Sequence, residues 1–154
     1  MSHYTLRREQ LLPISLVEAW AFFSAPENLQ EITPPYMGFE TLTTPESDSM
    51  YAGQIISYYI RPLMGIRVFW MTEITHVAEG RYFVDEQRFG PYAFWHHTHF
   101  FTPVTGGVLI TDVVHYKLPF GIFGRLAHWL FVKEQLAGIF HFRSQVLEQR
   151  FGKL

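Results

Sequence analysis

Hydrophobic and polar residues alternate from Tyr4 to Leu12, as a strand requires, and Pro13 ends the run. Ser15-Leu16-Val17-Glu18 then has the form of a capping box. The Ser15 hydroxyl can accept from the amide three residues on, and Glu18 can reach back to the Ser15 amide. A helix through Ala19, Trp20, Phe22 and Phe23 should follow. Ser24-Ala25-Pro26-Glu27 restarts a second short helix with Pro26 in its first turn, and this one stops before Pro34-Pro35. From Gly38 the period changes to two. Strands are expected over 39–44, 54–61, 66–77, 81–89, 93–104 and 108–118. Between them lie Pro45-Glu46-Ser47-Asp48, Pro62-Leu63-Met64-Gly65, Glu79-Gly80, Gly90-Pro91 and Thr105-Gly106-Gly107, all turn chemistry. Such short connections imply an antiparallel meander.

After Pro119 and Gly121 comes the longest helical pattern, over 122–150. Trp129, Val132, Leu136, Ile139, Phe140, Val146 and Leu147 recur at helical spacing, and Arg125, Lys133, Glu134, Gln145 and Gln149 supply polar positions. Gly138 inside this helix weakens it by ~1 kcal/mol relative to Ala. It either marks the close approach of a backbone or ligand or is a tolerated imperfection. The order is α+β: strand, two short helices, about six more strands, long helix. A meander cannot bury its face alone, and only the terminal helix is long enough to cover it. The sheet must therefore curl around that helix, which leaves room inside.

Composition narrows the function. The 154 residues suit one domain over 1–154, and 48% hydrophobic with 18% aromatic content exceeds what a small core needs. The surplus is compatible with a cavity. A net charge of −2 offers no basic excess for a phosphate backbone, so no nucleic-acid partner is expected. There is no cationic amphipathic segment, no apolar run near the ~20 residues of a membrane span, and no signal-peptide pattern in Met1 to Gln10. Cysteine is absent, which excludes disulfides and thiolate chemistry. The expectation is a cytoplasmic protein without membrane insertion. Neither a phosphate loop, nor Gly-x-Ser-x-Gly, nor a dinucleotide fingerprint is present.

The densest polar-aromatic constellation spans three strands. Alternate strand residues share a face. Trp95, His97, His99 and Phe101 form one such row, Ile110, Asp112, Val114 and Tyr116 another, and Phe83, Asp85 and Gln87 a third. A tight Thr105-Gly106 turn sets His99 opposite Asp112 and His97 opposite Val114. Two His, two Asp and a Gln then meet on the wall that carries the large aromatics. Three readings stay open. A His99–Asp112 pair could lock the hairpin, since neither group is tolerated alone in the interior. The groups could orient the polar head of an apolar ligand. Or His97, His99, Asp85 and Asp112 could serve as acid and base in a cyclisation or dehydration. His97-Thr98-His99 with Asp85 or Asp112 also has the composition of a two-His, one-carboxylate metal set, but two-residue spacing arises by chance in a chain with eight His, and no metal or other cofactor is expected. His76, His96 and His115 should face the other way, His128 and His141 should be solvated or at the rim, and Arg61, Arg67 and Arg88 read as solvated strand positions.

Phe83-Val84-Asp85-Glu86-Gln87, Gly90-Pro91-Tyr92, Trp95-His96-His97-Thr98-His99-Phe100, Gly106-Gly107, Asp112-Val113-Val114-His115-Tyr116, Leu118-Pro119 and Gly124, with Ala25-Pro26-Glu27-Asn28-Leu29 and Ile32-Thr33-Pro34 upstream, form a pattern of their own. Together these segments resemble the SRPBCC superfamily of START lipid-transfer domains, birch-pollen-type allergens and polyketide cyclases. The pattern is most similar to a bacterial subgroup of ligand-binding or cyclase-like proteins, found alone or fused to a sugar-epimerase-like domain. The resemblance covers essentially the whole chain. It implies a helix-grip fold, with about seven antiparallel strands curved round the C-terminal helix. That fold hosts carriers, receptors and enzymes alike. The expected function is binding of a small hydrophobic or amphipathic ligand, with Trp20, Tyr58, Trp70, Phe83, Gln87, Trp95, Phe101, Tyr116 and Gly138 as lining candidates. The alternatives are a cyclase- or dehydratase-like enzyme and a protein-interaction module, and a homodimer is compatible with any of them.

Overall fold

The computed structural model describes residues 3–44, 47 and 49–154. Strand β1 (Tyr4–Leu12) leads to helix α1 (Leu16–Phe23), whose first turn is capped as the sequence requires, with the Glu18 amide donating to Ser15 Oγ at 3.1 Å. Two 3₁₀ turns follow, Pro26–Leu29 and Pro35–Met37, the second not anticipated. The remaining strands are β2 (Glu40–Thr41), β3 (Gln54–Leu63), β4 (Ile66–Ala78), β5 (Tyr82–Phe89), β6 (Phe94–Val104) and β7 (Gly107–Lys117). They form one antiparallel seven-stranded sheet in the order β1-β7-β6-β5-β4-β3-β2. Register shifts along β3–β4 and at two places along β4–β5 add the local twist that bends a sheet. The architecture is the α+β helix-grip arrangement expected.

The strand expected over 39–44 shrinks to Glu40–Thr41. Beyond it the Thr43 hydroxyl replaces the ladder by accepting from the Ser57 amide at 2.6 Å. Of the turn expected next, Pro45, Glu46 and Asp48 lie outside the described residues. The Thr105-Gly106 turn is as expected: Val104 pairs with Gly107 across it, and Gly106 takes the positive φ of 83° that favours glycine.

The C-terminal helix departs from expectation in its phase. It runs as α2 (Gly121–Ala127), a π turn (His128–Val132) and α3 (Lys133–Phe151). Its buried positions are Gly124, His128, Leu136, Phe140, Arg143 and Leu147. Each step among them is three or four residues except His128 to Leu136, which is eight. An α-helix returns to the same face after seven. The wider π turn absorbs the extra residue. Extrapolating the regular spacing back from Leu136 lands on Trp129, which explains why the pattern puts that residue in the buried stripe although it is 75% exposed. Ile122, Phe123, Leu126 and Leu130 are likewise exposed, and His128, expected to be solvated, is buried. His128 Nε2 and the Tyr116 hydroxyl are hydrogen-bonded at 2.7 Å, and Tyr4 stacks on the imidazole.

Three apolar clusters fill the space between sheet and helices. The first joins Leu12, Phe22, Ile74, Phe83, Phe101, Ile110 and Leu147. The second joins Val114, Tyr116, Leu136 and Phe140. The third joins Met37, Ile60 and Trp70. Among the described residues no helix is long and apolar enough to cross a membrane.

Two glycines make this packing testable. A Cβ at Gly124 would meet the Pro119 carbonyl oxygen at 2.0 Å, whereas one at exposed Gly138 meets nothing within 4 Å. Gly124→Ala should therefore destabilise by ~1–3 kcal/mol through overpacking. Gly138→Ala should stabilise by about 1 kcal/mol through helix propensity. Urea midpoints of the two variants against wild type check both.

Candidate functional site

Strands β5, β6 and β7 place Asp85, His97, His99 and Asp112 on one wall. Asp85 pairs in register with His97, Phe83 with His99, His99 with Asp112, and His97 with Val114. All four sequence candidates therefore meet, but not in the pairing the register suggests. His97 Nε2 lies 2.8 Å from Asp112 Oδ1, and His99 Nε2 lies 2.5 Å from Asp85 Oδ2. The longer cross-contacts are His97 Nδ1 to Asp85 at 3.7 Å and His99 Nδ1 to Asp112 at 3.4 Å. The two imidazoles stack with centroids 3.7 Å apart, so each ring sits between both carboxylates. Phe83 stacks on the outer face of His99 at 4.0 Å, and Phe140 meets His97 edge-on from α3.

Arg143 completes the cluster from α3. Its Nη1 is 3.8 Å from Asp112 Oδ1, and its guanidinium lies over the Phe23 and Phe140 rings. Sequence reasoning misses it. The available signal is its place in the spacing Leu136, Phe140, Arg143, Leu147, which puts a charge on the buried stripe. Buried charges need partners, and Asp112 is the partner here. Among the described residues, two atoms of the cluster have no hydrogen-bond partner, His99 Nδ1 and Arg143 Nε.

The electrostatics follow from burial against pairing. Burial alone would raise the Asp112 pKa, but Arg143 and the hydrogen bond from His97 overcome it and hold the carboxyl well below its usual range. Asp85 is lowered in the same way, burial being outweighed by His97 and by the bond from His99. His99 is pushed down to about 4, first by burial and then by the neighbouring His97, with Asp85 opposing. At neutral pH His99 is therefore an uncharged imidazole between two carboxylates. Burial and the Asp85 charge raise the nearby Tyr58 phenol.

The lining candidates are distributed among the apolar clusters. Trp20 packs edge-on against Phe83 and Phe101 in the first. In the third, Tyr58 stacks on Trp70, which meets Trp95 edge-on, and Tyr116 belongs to the second. Gln87 does not face a ligand space freely. Its amide donates to the Tyr92 carbonyl at 2.8 Å and its oxygen accepts from the Tyr92 amide at 3.0 Å, closing the Gly90-Pro91 turn. Gly138 is on the solvent side of α3, which removes it from the lining. His96 and His115 are cross-strand neighbours with ring centroids 6.2 Å apart, as expected. Sequence periodicity does not reveal an open groove of about 470 Å³ between the β3–β4 hairpin and the helix. It is lined by Tyr36, Pro62, Leu63, Met64, Leu130, Phe131, Glu134 and Gln135. Gln135 donates to the Pro62 carbonyl at 2.5 Å across it.

No protein-family model matches the chain, and no curated protein sequence matches it significantly. Solved structures do. A START superfamily protein from Mycobacterium smegmatis superposes with a TM-score of 0.71 over 97% of each chain at 14% identity. The Thermus thermophilus protein TTHA0849 does so with a TM-score of 0.69 over 96% of each chain at 19% identity. The nucleoside-diphosphate sugar epimerase from Corynebacterium glutamicum matches with a TM-score of 0.65 at 21% identity, over 94% of this chain and 28% of that one. These likenesses show the fold, a helix-grip arrangement that fits the one the sequence resemblance implies.

The His99 shift has a measurable consequence. Between about pH 6.5 and 4 the unfolded chain protonates this imidazole and the folded protein does not, so stability falls as pH drops through that window, by on the order of 3 kcal/mol. Below it the depressed carboxylates add a further loss as they protonate. Urea unfolding at about pH 7 and about pH 4.5 should show the decline, and His99→Gln, which does not titrate, should flatten it.

Proposed function

We propose that the protein binds a small hydrophobic or amphipathic molecule between the sheet and the C-terminal helix, with the polar end of that molecule at the Asp85–His97–His99–Asp112–Arg143 cluster. The observation that carries this reading is the cluster's unpaired pair of buried atoms, His99 Nδ1 and Arg143 Nε, on a wall otherwise made of aromatic side chains. Ligand sites are typically apolar surfaces with a few placed polar groups, and a buried polar atom without a partner calls for one. The groove adds an exposed apolar surface beside the C-terminal helix, formed by Tyr36, Leu63, Met64, Leu130 and Phe131, on which such a molecule could first land. Likeness to a START superfamily protein points the same way. The cytoplasm is proposed as its location.

An enzymatic reading draws on the same cluster. Uncharged His99 keeps a lone pair on Nδ1 with no donor facing it, which suits a general base. It predicts turnover of a bound polyketone that His99→Gln abolishes. Binding alone predicts no turnover in either protein.

The test of binding is native mass spectrometry of freshly purified protein, with and without acid denaturation. The expected result is a small-molecule mass surplus released on denaturation. Arg143→Met should weaken retention of that molecule about 10–100-fold, the range of a lost charge-assisted hydrogen bond. A bare polypeptide mass, together with no saturable uptake of a fluorescent fatty-acid probe, would overturn the reading.

A further inference from the structure

The same cluster has a second property that does not depend on any cargo. We propose that Asp85, His97 and His99 bind one divalent transition-metal ion, with Asp112 as the carboxylate that orients both imidazoles. One ligand atom from each of the three residues lies within 4.8 Å of the other two. Asp85 Oδ2 is 3.7 Å from His97 Nδ1 and 2.5 Å from His99 Nε2. Ligand atoms around a tetrahedral zinc-sized ion, at roughly 2.0–2.1 Å each, are about 3.3 Å apart. The His97 spacing is already close to that, and His99 has to withdraw by under ~1 Å.

His-x-His spacing alone does not argue for an ion, and the second layer of the cluster does. A metal-bound imidazole nearly always donates its other ring N–H to a carboxylate or carbonyl. With His97 bound through Nδ1, its Nε2–H faces Asp112 Oδ1 at 2.8 Å. With His99 bound through Nε2, its Nδ1–H faces the same oxygen at 3.4 Å. Asp112 is balanced in turn by Arg143. The set offered to the ion is then two imidazole nitrogens and one carboxylate oxygen, a donor set that suits first-row divalent ions and leaves positions open.

The competing account fills the cluster with protons only. In it His99 donates from Nε2 to Asp85 and leaves Nδ1 buried without a partner. An ion on Nε2 shifts that proton to Nδ1, 3.4 Å from Asp112 Oδ1, and the same withdrawal of the ring that makes room for the ion lets this carboxylate accept a hydrogen bond from it. Nothing in this arrangement requires a bound hydrophobic molecule.

The test uses the full chain after treatment with EDTA, titrated with Zn²⁺ by calorimetry and with Co²⁺ by visible absorption. One ion per chain is expected, with Co²⁺ bands typical of nitrogen and oxygen ligands. Asp85→Asn and His97→Gln should each weaken binding at least about 100-fold. Asp112→Asn should weaken it about 10–100-fold while keeping the stoichiometry, as loss of an orienting carboxylate does. The double variant His96→Gln/His115→Gln removes the cross-strand pair outside the cluster and should bind as wild type does. Far-ultraviolet circular dichroism of each variant separates lost binding from lost fold, and a rise in wild-type Tm with Zn²⁺ gives a second readout. Absence of saturable one-to-one binding by the wild type would overturn the proposal, as would binding that survives His97→Gln and vanishes in the His96/His115 variant. Cargo that stays bound after EDTA treatment, in a protein that takes no ion, would leave the ligand reading standing and this one refuted.

Discussion

Everything at the centre of this protein depends on one desolvated charge group. The buried Asp112 carboxylate, the half-buried Asp85 carboxylate and the buried Arg143 guanidinium are held with two buried imidazoles between a sheet and a helix. None of these charges is tolerable in an apolar interior by itself. Each carboxylate is stabilised by a different set of neighbours: Asp112 by Arg143 and His97, Asp85 by the two imidazoles. The group therefore exists only when β5, β6, β7 and α3 are docked together in one register. Removing a member leaves an unpaired charge, which is why such clusters are costly to disrupt.

That dependence makes register the controlling variable of the fold. Side chains alternate with period two, so a slip of one residue between β6 and β7 would send His97 and His99 to the outer face and bring His96 inward. The Thr105-Gly106 turn opposes the slip, because Gly106 supplies the positive φ at the second central position of this two-residue connection. The helix has its own register problem. Gly124 and His128 must face the sheet together with Leu136 and Arg143, and a regular helix does not bring them into line. The π turn solves this and, in doing so, turns Trp129 and Leu130 into solvent.

The sheet was legible in the sequence because strand periodicity and turn chemistry are local. Six of the seven strands fall close to where alternation puts them, and the His99–Asp112 and His97–Val114 register follows from counting out of one turn. The convergence of Asp85, His97, His99 and Asp112 was readable for the same reason. The short partners were not, because hydrogen bonds between facing side chains depend on ring orientation, which crosses the register and couples His97 to Asp112 and His99 to Asp85. Arg143 escapes notice because a charge on a helix is read as solvated unless its spacing from Leu136, Phe140 and Leu147 is weighed. His128 and Trp129 are misplaced by a single shift of helical phase that no local residue announces. Gln87 looks like a ligand contact from its face. Only three-dimensional closure shows its amide engaged by Tyr92.

The aromatic surplus that suggests a cavity has a double meaning in the folded chain. Trp70, Trp95, Tyr92 and Tyr58 pack on one another edge-on and stacked, which is how aromatic groups fill space. The same rings form the apolar surround of the buried polar cluster, since Trp95 meets His97 edge-on and Phe83 stacks on His99. A low-polarity surround strengthens every electrostatic interaction inside it and keeps His99 uncharged at neutral pH. The rings thus shape the chemistry even where they leave no space, because an imidazole held neutral between carboxylates is ready to accept a donor, whether from a polar head group or by giving its lone pair to a cation. Shape and charge are therefore coupled: the aromatic wall that packs the interior also sets the protonation state of the cluster.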